Sequence, residues 1–257
     1  MNDLVINAIQ NKTLTTSSLD FNSLRSFAGI DTNNQPELNR GRAIIPSPNL
    51  LNQYLYSYGP MVQRQWDVVV SKTLDMLNDN NDEIVHIFDY GCGQGLATLL
   101  LLEKAIGLQE EVKHITLVEP SEVAIKRAES IIGCKAPEAE LTLINKELDD
   151  VEENDLSIDN ERMNVHLFSN ILDVEGFDQF ELFNKILKNG GTHYFIVVSN
   201  DRNYYGGSPR LEALYNALLD SEPDNGEQLS ITHAELARFV DDRNMKHIYF
   251  CVKVEIK

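Results

Sequence analysis

Between Phe88 and Gly95 the chain reads Phe88-Asp89-Tyr90-Gly91-Cys92-Gly93-Gln94-Gly95, three glycines at alternate positions behind an acid. The apolar run Ile84 to Tyr90 stops at the first glycine, and an apolar helical stretch, Leu96 to Ile106, follows the last. A strand that turns at once into a helix needs residues without a Cβ where the backbone doubles back. The same residues let a ligand approach the backbone, and the first turn of the helix offers unpaired N–H groups to an anionic group. In the dinucleotide fingerprint GxGxxG the third glycine would stand at position 96, which is Leu96. A nicotinamide-linked oxidoreductase is therefore disfavoured.

The rest of the chain supplies the alternation that such a turn belongs to. Val112 to Val118, Leu141 to Asn145, Met163 to Ser169 and Thr192 to Ser199 read as strands, with helices over Ser121–Ile132, Phe177–Leu187 and Leu211–Leu219 between and after them. Thr232 to Glu235 has capping-box spacing and predicts a helix to about Arg243, with Lys246 to Ile256 as a closing strand. The expected fold is α/β: a Rossmann-like three-layer αβα sandwich with a mainly parallel sheet of six strands. Residues 1–48 carry short apolar clusters (Leu4, Val5, Ile6, Ile9; Leu19, Phe21, Leu24, Phe27) that predict small helices, not a free tail. Asn49–Tyr58 and Met61–Asn78 predict two more, and Asn78 to Asp82 reads as a linker. The expected organisation is an N-terminal helical extension over 1–79 and a ligand-binding domain over 80–257.

Charge and cysteine content narrow the function. Forty acidic residues against 22 basic give −18, so the basic face of a duplex-coating protein is not to be expected and non-specific nucleic-acid binding is disfavoured. Cys92, Cys134 and Cys251 show no zinc-ligand or CxxC spacing, which suits a reducing compartment; no metal site is expected. The longest apolar run, Leu96 to Leu102, is too short to span a bilayer, and no signal peptide is evident. A cytoplasmic protein without membrane contact is the expectation.

The acid-x-GxGxG turn resembles the glycine motif of class I S-adenosylmethionine (SAM)-dependent methyltransferases. The resemblance covers roughly residues 83–200. It implies cofactor contacts from Asp89, Gly91, Cys92, Gly93 and Gly95. In that family an acid at the end of the second strand binds the ribose hydroxyls, and here Glu119, followed by Pro120, stands at that end. A carboxylate suits the role because it accepts from two hydroxyl donors at once. The position after the third strand, beside the adenine, falls to Glu147 and Leu148, with Asp149 competing. Ser169 and Asn170, at the end of the fourth strand, fall where the family places residues near the reacting methyl group. Asn170 is the candidate for positioning the acceptor, and no catalytic base is named. The chain reads Asn170-Ile171-Leu172-Asp173 where amino-methylating DNA enzymes carry Asp/Asn-Pro-Pro-aromatic, so that subclass is unsupported. Six strands are also one short of the family's seven.

The activity implied is methyl transfer from SAM to an unidentified acceptor, a small molecule or protein in preference to nucleic acid. The competing expectation is a non-catalytic, methyltransferase-like SAM-binding or scaffold subunit, with a protein partner. Aminopropyl transfer on the same scaffold is a third. His86, His166 and His193 lie within apolar strands and read as core residues. Tyr54, Tyr56 and Tyr58, with Arg64 and Trp66, read as a lid or as helix packing. Asn203 to Arg210 reads as a substrate-side loop.

Overall fold

The computed structural model describes residues 3–28, 34–78, 84–105, 107–203, 206–221 and 229–257. Four helices lead: α1 (Leu4–Gln10), α2 (Phe21–Ala28), α3 (Pro48–Ser57) and α4 (Gly59–Asn78), with a 3-10 turn over Gln35–Gly41. The alternating part follows as β1 (Val85–Tyr90), α5 (Leu96–Lys104), α6 (Leu108–Glu111), β2 (Val112–Val118), α7 (Glu122–Lys135) and β3 (Glu140–Ile144). After a 3-10 turn at Leu148–Asp150 come α8 (Glu153–Leu156), β4 (Met163–Ser169), α9 (Gln179–Leu187), β5 (Gly191–Asn200) and α10 (Gly207–Leu219). A hairpin of β6 (Leu229–Val240) and β7 (Lys246–Ile256) ends the fold.

The sheet has seven strands in the order β3-β2-β1-β4-β5-β7-β6. The pairs β1–β2, β1–β4, β2–β3 and β4–β5 are parallel; β5–β7 and β6–β7 are antiparallel. Strand β1 is buried at every position, as a central parallel strand covered on both faces must be. One core holds α1, α2, α4, α5 and α7 against the sheet, with Leu24, Trp66, Leu100 and Ile131 in it. The other holds α9 and α10, through Phe183, Ile186, Leu211 and Leu214. Strand order reverses between β1 and β4, which opens a crevice at the carboxyl ends of the strands.

The expected three-layer α/β fold is the one observed. Its seventh strand corrects the expectation: residues from Leu229 to Val240 form β6, where capping-box spacing predicts a helix. Glu235 does not reach back to a cap. Its carboxylate accepts from the Tyr249 hydroxyl at 2.5 Å, and the segment pairs with the buried β7 along most of its length. A ladder to an already buried strand outweighs a local cap. The turn between them is one that Asp and Asn favour: Asp241 Oδ1 accepts from the N–H groups of Arg243 and Met245, and Asn244 sits at φ 61°.

A second correction concerns the stretch up to Arg210. Gly207 to Arg210 is not loop but the first turn of α10, where Pro209 is tolerated because the N–H it lacks has no helical partner. Tyr204 and Tyr205 lie outside the described residues, as do most of the linker Asn78 to Asp82, the boundary at 79/80 and Ile106. Among the described residues no helix is long and apolar enough to cross a membrane, and all three cysteines are outside disulfides.

His166 is a core residue. Its Nδ1 is 3.1 Å from the Tyr90 hydroxyl and its Nε2 3.0 Å from Nδ1 of His193, whose Nε2 is 2.9 Å from the Asn189 carbonyl. Burial holds His166 well below its ordinary pKa and lowers His193 to about 4 and His86 to about 3. All three are neutral at pH 7 and packed among Phe88, Tyr90 and Phe195.

Candidate active site

A cavity of about 280 Å³ opens at the strand-order reversal. Gly91, Gly93, Glu119, Pro120, Glu147, Leu148, Ser169 and Asn170 all line it, so the structure brings together four loops that are far apart in sequence. Asp149 lines it as well, leaving the choice between it and Glu147 open; its Oδ1 already accepts from the Asp178 N–H at 2.9 Å. Asp89, Cys92 and Gly95 do not line it.

The glycine turn explains that division. Gly93 has φ +55°, and an added Cβ would meet nothing within 4 Å, so the space above it is the cavity itself. Gly95 has φ +79° and caps α5; a Cβ there would press on Ile132 Cγ1 at 3.1 Å and Ala128 Cβ at 3.3 Å. It serves the approach of α7, not the ligand. Cys92 is tucked into the turn, its Sγ 3.6 Å from the Gly93 carbonyl. Burial, with Asp89 and Glu119 nearby, holds its thiol well above the ordinary value, so it is no thiolate nucleophile.

Two carboxylates sit beneath and beside the turn. Glu119 Oε2 accepts from the Gly93 N–H at 3.0 Å and Oε1 from the Ser121 N–H at 2.9 Å. Burial raises its pKa, against the lowering effect of those two donors. Asn145 Nδ2 ties down the backbone behind it, donating to the carbonyls of Glu119 and Pro120 at 2.8 and 2.9 Å. Asp89 is fully buried. Its Oδ2 accepts from the Thr98 hydroxyl at 2.8 Å and more weakly from the Thr98 N–H at 3.4 Å. Its Oδ1 has no hydrogen-bond partner among the described residues. Burial pushes Asp89 up to about 7; Thr98 opposes the rise and Glu119 adds to it. A cavity lined by one buried carboxylate, with a second one short of a partner behind the turn, suits a ligand that carries positive charge.

At the far end Asn170 adopts φ 56°, a conformation that asparagine tolerates. Its amide is paired twice with Gln65: Asn170 Nδ2 donates to Gln65 Oε1 at 2.7 Å, and Asn170 Oδ1 accepts from Gln65 Nε2 at 3.1 Å. Gln65 Nε2 also donates to His247 Nδ1 at 3.0 Å; His247 Nε2 lies 3.2 Å from Asp241 Oδ2, which Arg64 meets at 2.6 Å. The β6–β7 hairpin thus fixes the amide of Asn170 through α4. Trp66 is fully buried, and its Nε1 donates to Ser169 Oγ at 3.0 Å. Of the aromatic set read as a lid, Tyr54 lines the cavity, where burial pushes its hydroxyl up to about 12. Tyr56 is surface-exposed under Arg25, and Arg64 and Trp66 are structural.

The roof was not legible in the sequence. Gly41, Arg42, Ala43, Ile44, Ile45 and Leu51 line the cavity from above. The glycine turn and α7 hold them there: Ser121 Oγ donates to the Ile45 carbonyl at 2.5 Å, Gln94 Nε2 to Leu51 at 3.2 Å, and Arg127 Nη2 to Pro48 at 3.1 Å. The wall opposite includes Ile171, Val174 and Phe177. Arg210, expected in a substrate-side loop, braces that wall from α10 by donating to the carbonyls of Leu172 and Phe177.

No family model and no curated protein matches the sequence. Solved structures do. A Listeria monocytogenes protein assigned to the class I SAM-dependent methyltransferases superposes with TM-score 0.50 at 11% identity, covering 97% of this chain and 79% of that one. The plantazolicin methyltransferase, solved with SAH, gives 0.48 at 15% identity over 85% and 96% of the two chains. A SAM-dependent methyltransferase of Leishmania major gives 0.47 at 12% over 84% and 80%. At such identities the likeness is one of fold: this chain has the Rossmann-like fold of the class I methyltransferases.

Proposed function

We propose that this protein binds SAM in the cavity and transfers its methyl group to a small organic acceptor. The observation that supports the reading best is the convergence of Gly93, Glu119 and Ser169 on one cavity at the strand-order reversal. The space above Gly93 leaves room for a nucleoside ligand, and the buried carboxylate of Asp89 behind the turn favours one that carries positive charge. Glu119 would take the ribose hydroxyls, exchanging its Gly93 N–H contact for them, and Glu147 with Leu148 would flank the adenine. Bound SAM supplies a methyl group already activated at a sulfonium. The protein's share of catalysis is then alignment and exclusion of water. Asn170, held by Gln65, would orient the acceptor. A roof of Ile44, Ile45 and Tyr54 over an apolar wall favours a small acceptor over a folded macromolecule, and a charge of −18 adds to this against nucleic acid. The presence of β6 removes one ground for a non-catalytic module, the short sheet.

Calorimetric titration with SAM and S-adenosylhomocysteine tests the cofactor. Loss of a hydrogen-bonded charge costs about 1.5–3 kcal/mol, so Glu119→Ala is expected to weaken binding roughly 10- to 100-fold. Gly93→Arg, which fills the cavity, is expected to abolish it. Folded wild-type protein that binds neither compound overturns the reading. Transfer of labelled methyl to a small-molecule pool, and not to protein or RNA pools, tests the acceptor class; binding without transfer to any pool supports the non-catalytic module.

A further inference from the structure

The outer hairpin gathers a second set of reactive side chains that methyl transfer does not use. His233 and Glu235 stand two apart on β6, and Cys251 faces Glu235 across the ladder on β7. One potential ligand atom from each lies within 4.8 Å of the other two, and Cys251 Sγ is 3.4 Å from His233 Nε2. Cys251 is fully buried, His233 and Glu235 half-buried. None of the three lines the cavity described above.

The backbone is bent to make this cluster. The β6–β7 register shifts between Ile231 and His233. Before the shift Leu229 and Ile231 pack into the core on the α10 side; after it Ala237 and Phe239 pack into the opposite core. All of these positions are odd-numbered, so one extra residue has moved the odd side chains from one face to the other. An unbroken ladder would leave one of the two sets on the wrong face. The bulge lets two apolar side chains fill one core while His233 and Glu235 share the other face with Cys251. Tyr249 then orients Glu235, donating to Oε1 at 2.5 Å and leaving the second carboxylate oxygen available. Such outer hydrogen bonds aim carboxylates at metal sites. Lys253, opposite His233, lies over the Tyr194 ring and 3.5 Å from Glu255, which holds its charge.

We propose that His233, Glu235 and Cys251 bind one divalent zinc-type transition-metal ion that clasps the edge strand β6 to β7. Imidazole and thiolate donors select zinc and its neighbours over magnesium or calcium. Three protein ligands leave a fourth tetrahedral position, which water fills at the half-exposed edge. On binding, the Cys251 S–H bond breaks, its proton passes to solvent, and the sulfur electron pair forms the metal bond. The clasp protects an edge strand whose outer row of backbone groups is otherwise a template for pairing.

The test uses the untagged full chain, stripped with chelator and titrated with cobalt(II), then zinc(II). The expected result is about one cobalt per chain, a thiolate-to-cobalt charge-transfer band displaced by zinc, and a higher Tm with metal. Cys251→Ser is expected to lose the band, and His233→Ala and Glu235→Gln to weaken uptake at least about tenfold, with far-ultraviolet circular dichroism unchanged. Tyr249→Phe is expected to weaken uptake about tenfold through Glu235 alone, and Cys134→Ser to keep the band. No cobalt uptake by the wild type, uptake without a thiolate band, or a band that survives Cys251→Ser overturns the proposal.

Discussion

Asp89 departs far from the behaviour of its free side chain. Its value of about 7 lies above the unfolded 3.8, and burial is the main cause. The folded state therefore binds the extra proton between those values, and the fold loses stability as pH rises through about 7. A cationic ligand opposes that loss because it favours the ionised form. In the SAM-binding reading, affinity by calorimetry is expected to rise from pH 6 to pH 8, and Asp89→Asn to flatten the rise. The same substitution is expected to remove this group's share of the stability that falls between about pH 4 and pH 7 in urea titrations. An unchanged pH profile in Asp89→Asn would assign the titration to another group. In the sequence Asp89 stands out as the acid before the glycine turn, and Glu119 as the acid at the end of the second strand that the methyltransferase resemblance implies. The same reasoning could not show that Cys92 and Gly95 turn away from the cavity, since both obey the glycine spacing equally well.

At the scale of elements, a buried ion pair helps to join the N-terminal helical extension to the glycine turn. Asp3 caps α1, accepting from the N–H groups of Val5 and Ile6 at 3.0 and 3.2 Å, and meets Arg127 Nε of α7 at 2.7 Å. Arg127 is fully buried and also donates to Gln94 Oε1 at 3.1 Å, inside the turn. Removing one partner of a buried pair costs about 3–5 kcal/mol, far more than a lost cap at about 1 kcal/mol. Asp3→Ala is expected to lower stability by about 3–5 kcal/mol in urea unfolding. Asp3→Asn, which keeps the cap acceptor, is expected to cost less. A loss near 1 kcal/mol in Asp3→Ala would mean that only the cap matters. Element type was legible wherever a segment's own pattern decided it, as in β1, β4 and α7. It failed for β6, whose state is set by β7, and at the start of α10, where Gly206-Gly207-Ser208-Pro209 imitates a loop.

For the whole molecule, cap and sheet share a core. Val5, Leu24 and Trp66 belong to the same buried cluster as Leu100, Ile131 and Ile196. Trp66 is the chain's single tryptophan, lies on α4, and donates to Ser169 at the cavity. Its fluorescence reports the cap while far-ultraviolet circular dichroism reports the sheet and helices together. With the extension and one face of the sheet sharing a core, thermal unfolding followed by the two signals is expected to coincide in a single transition. Two separated transitions would show that the helical extension unfolds as its own unit.

By itself the sequence determined what depends on neighbours along the chain. The glycine turn needs no Cβ at Gly93, an apolar run with turn residues after it makes a strand, and Ser121 caps the helix that it precedes. These signals were enough for the fold class and for the turn that borders the cavity; the acids at the strand ends came from the resemblance that the turn carries. Tertiary structure decided whatever depends on contacts between distant segments. The pairing that turned Thr232 to Val240 into a strand, the bulge that placed His233 and Glu235 beside Cys251, and the roof of residues 41–45 are all of this kind. Their free energy comes from burial and hydrogen bonds to partners far away in the chain, Ser121 for Ile45 and β7 for β6, and a local pattern carries no record of those partners.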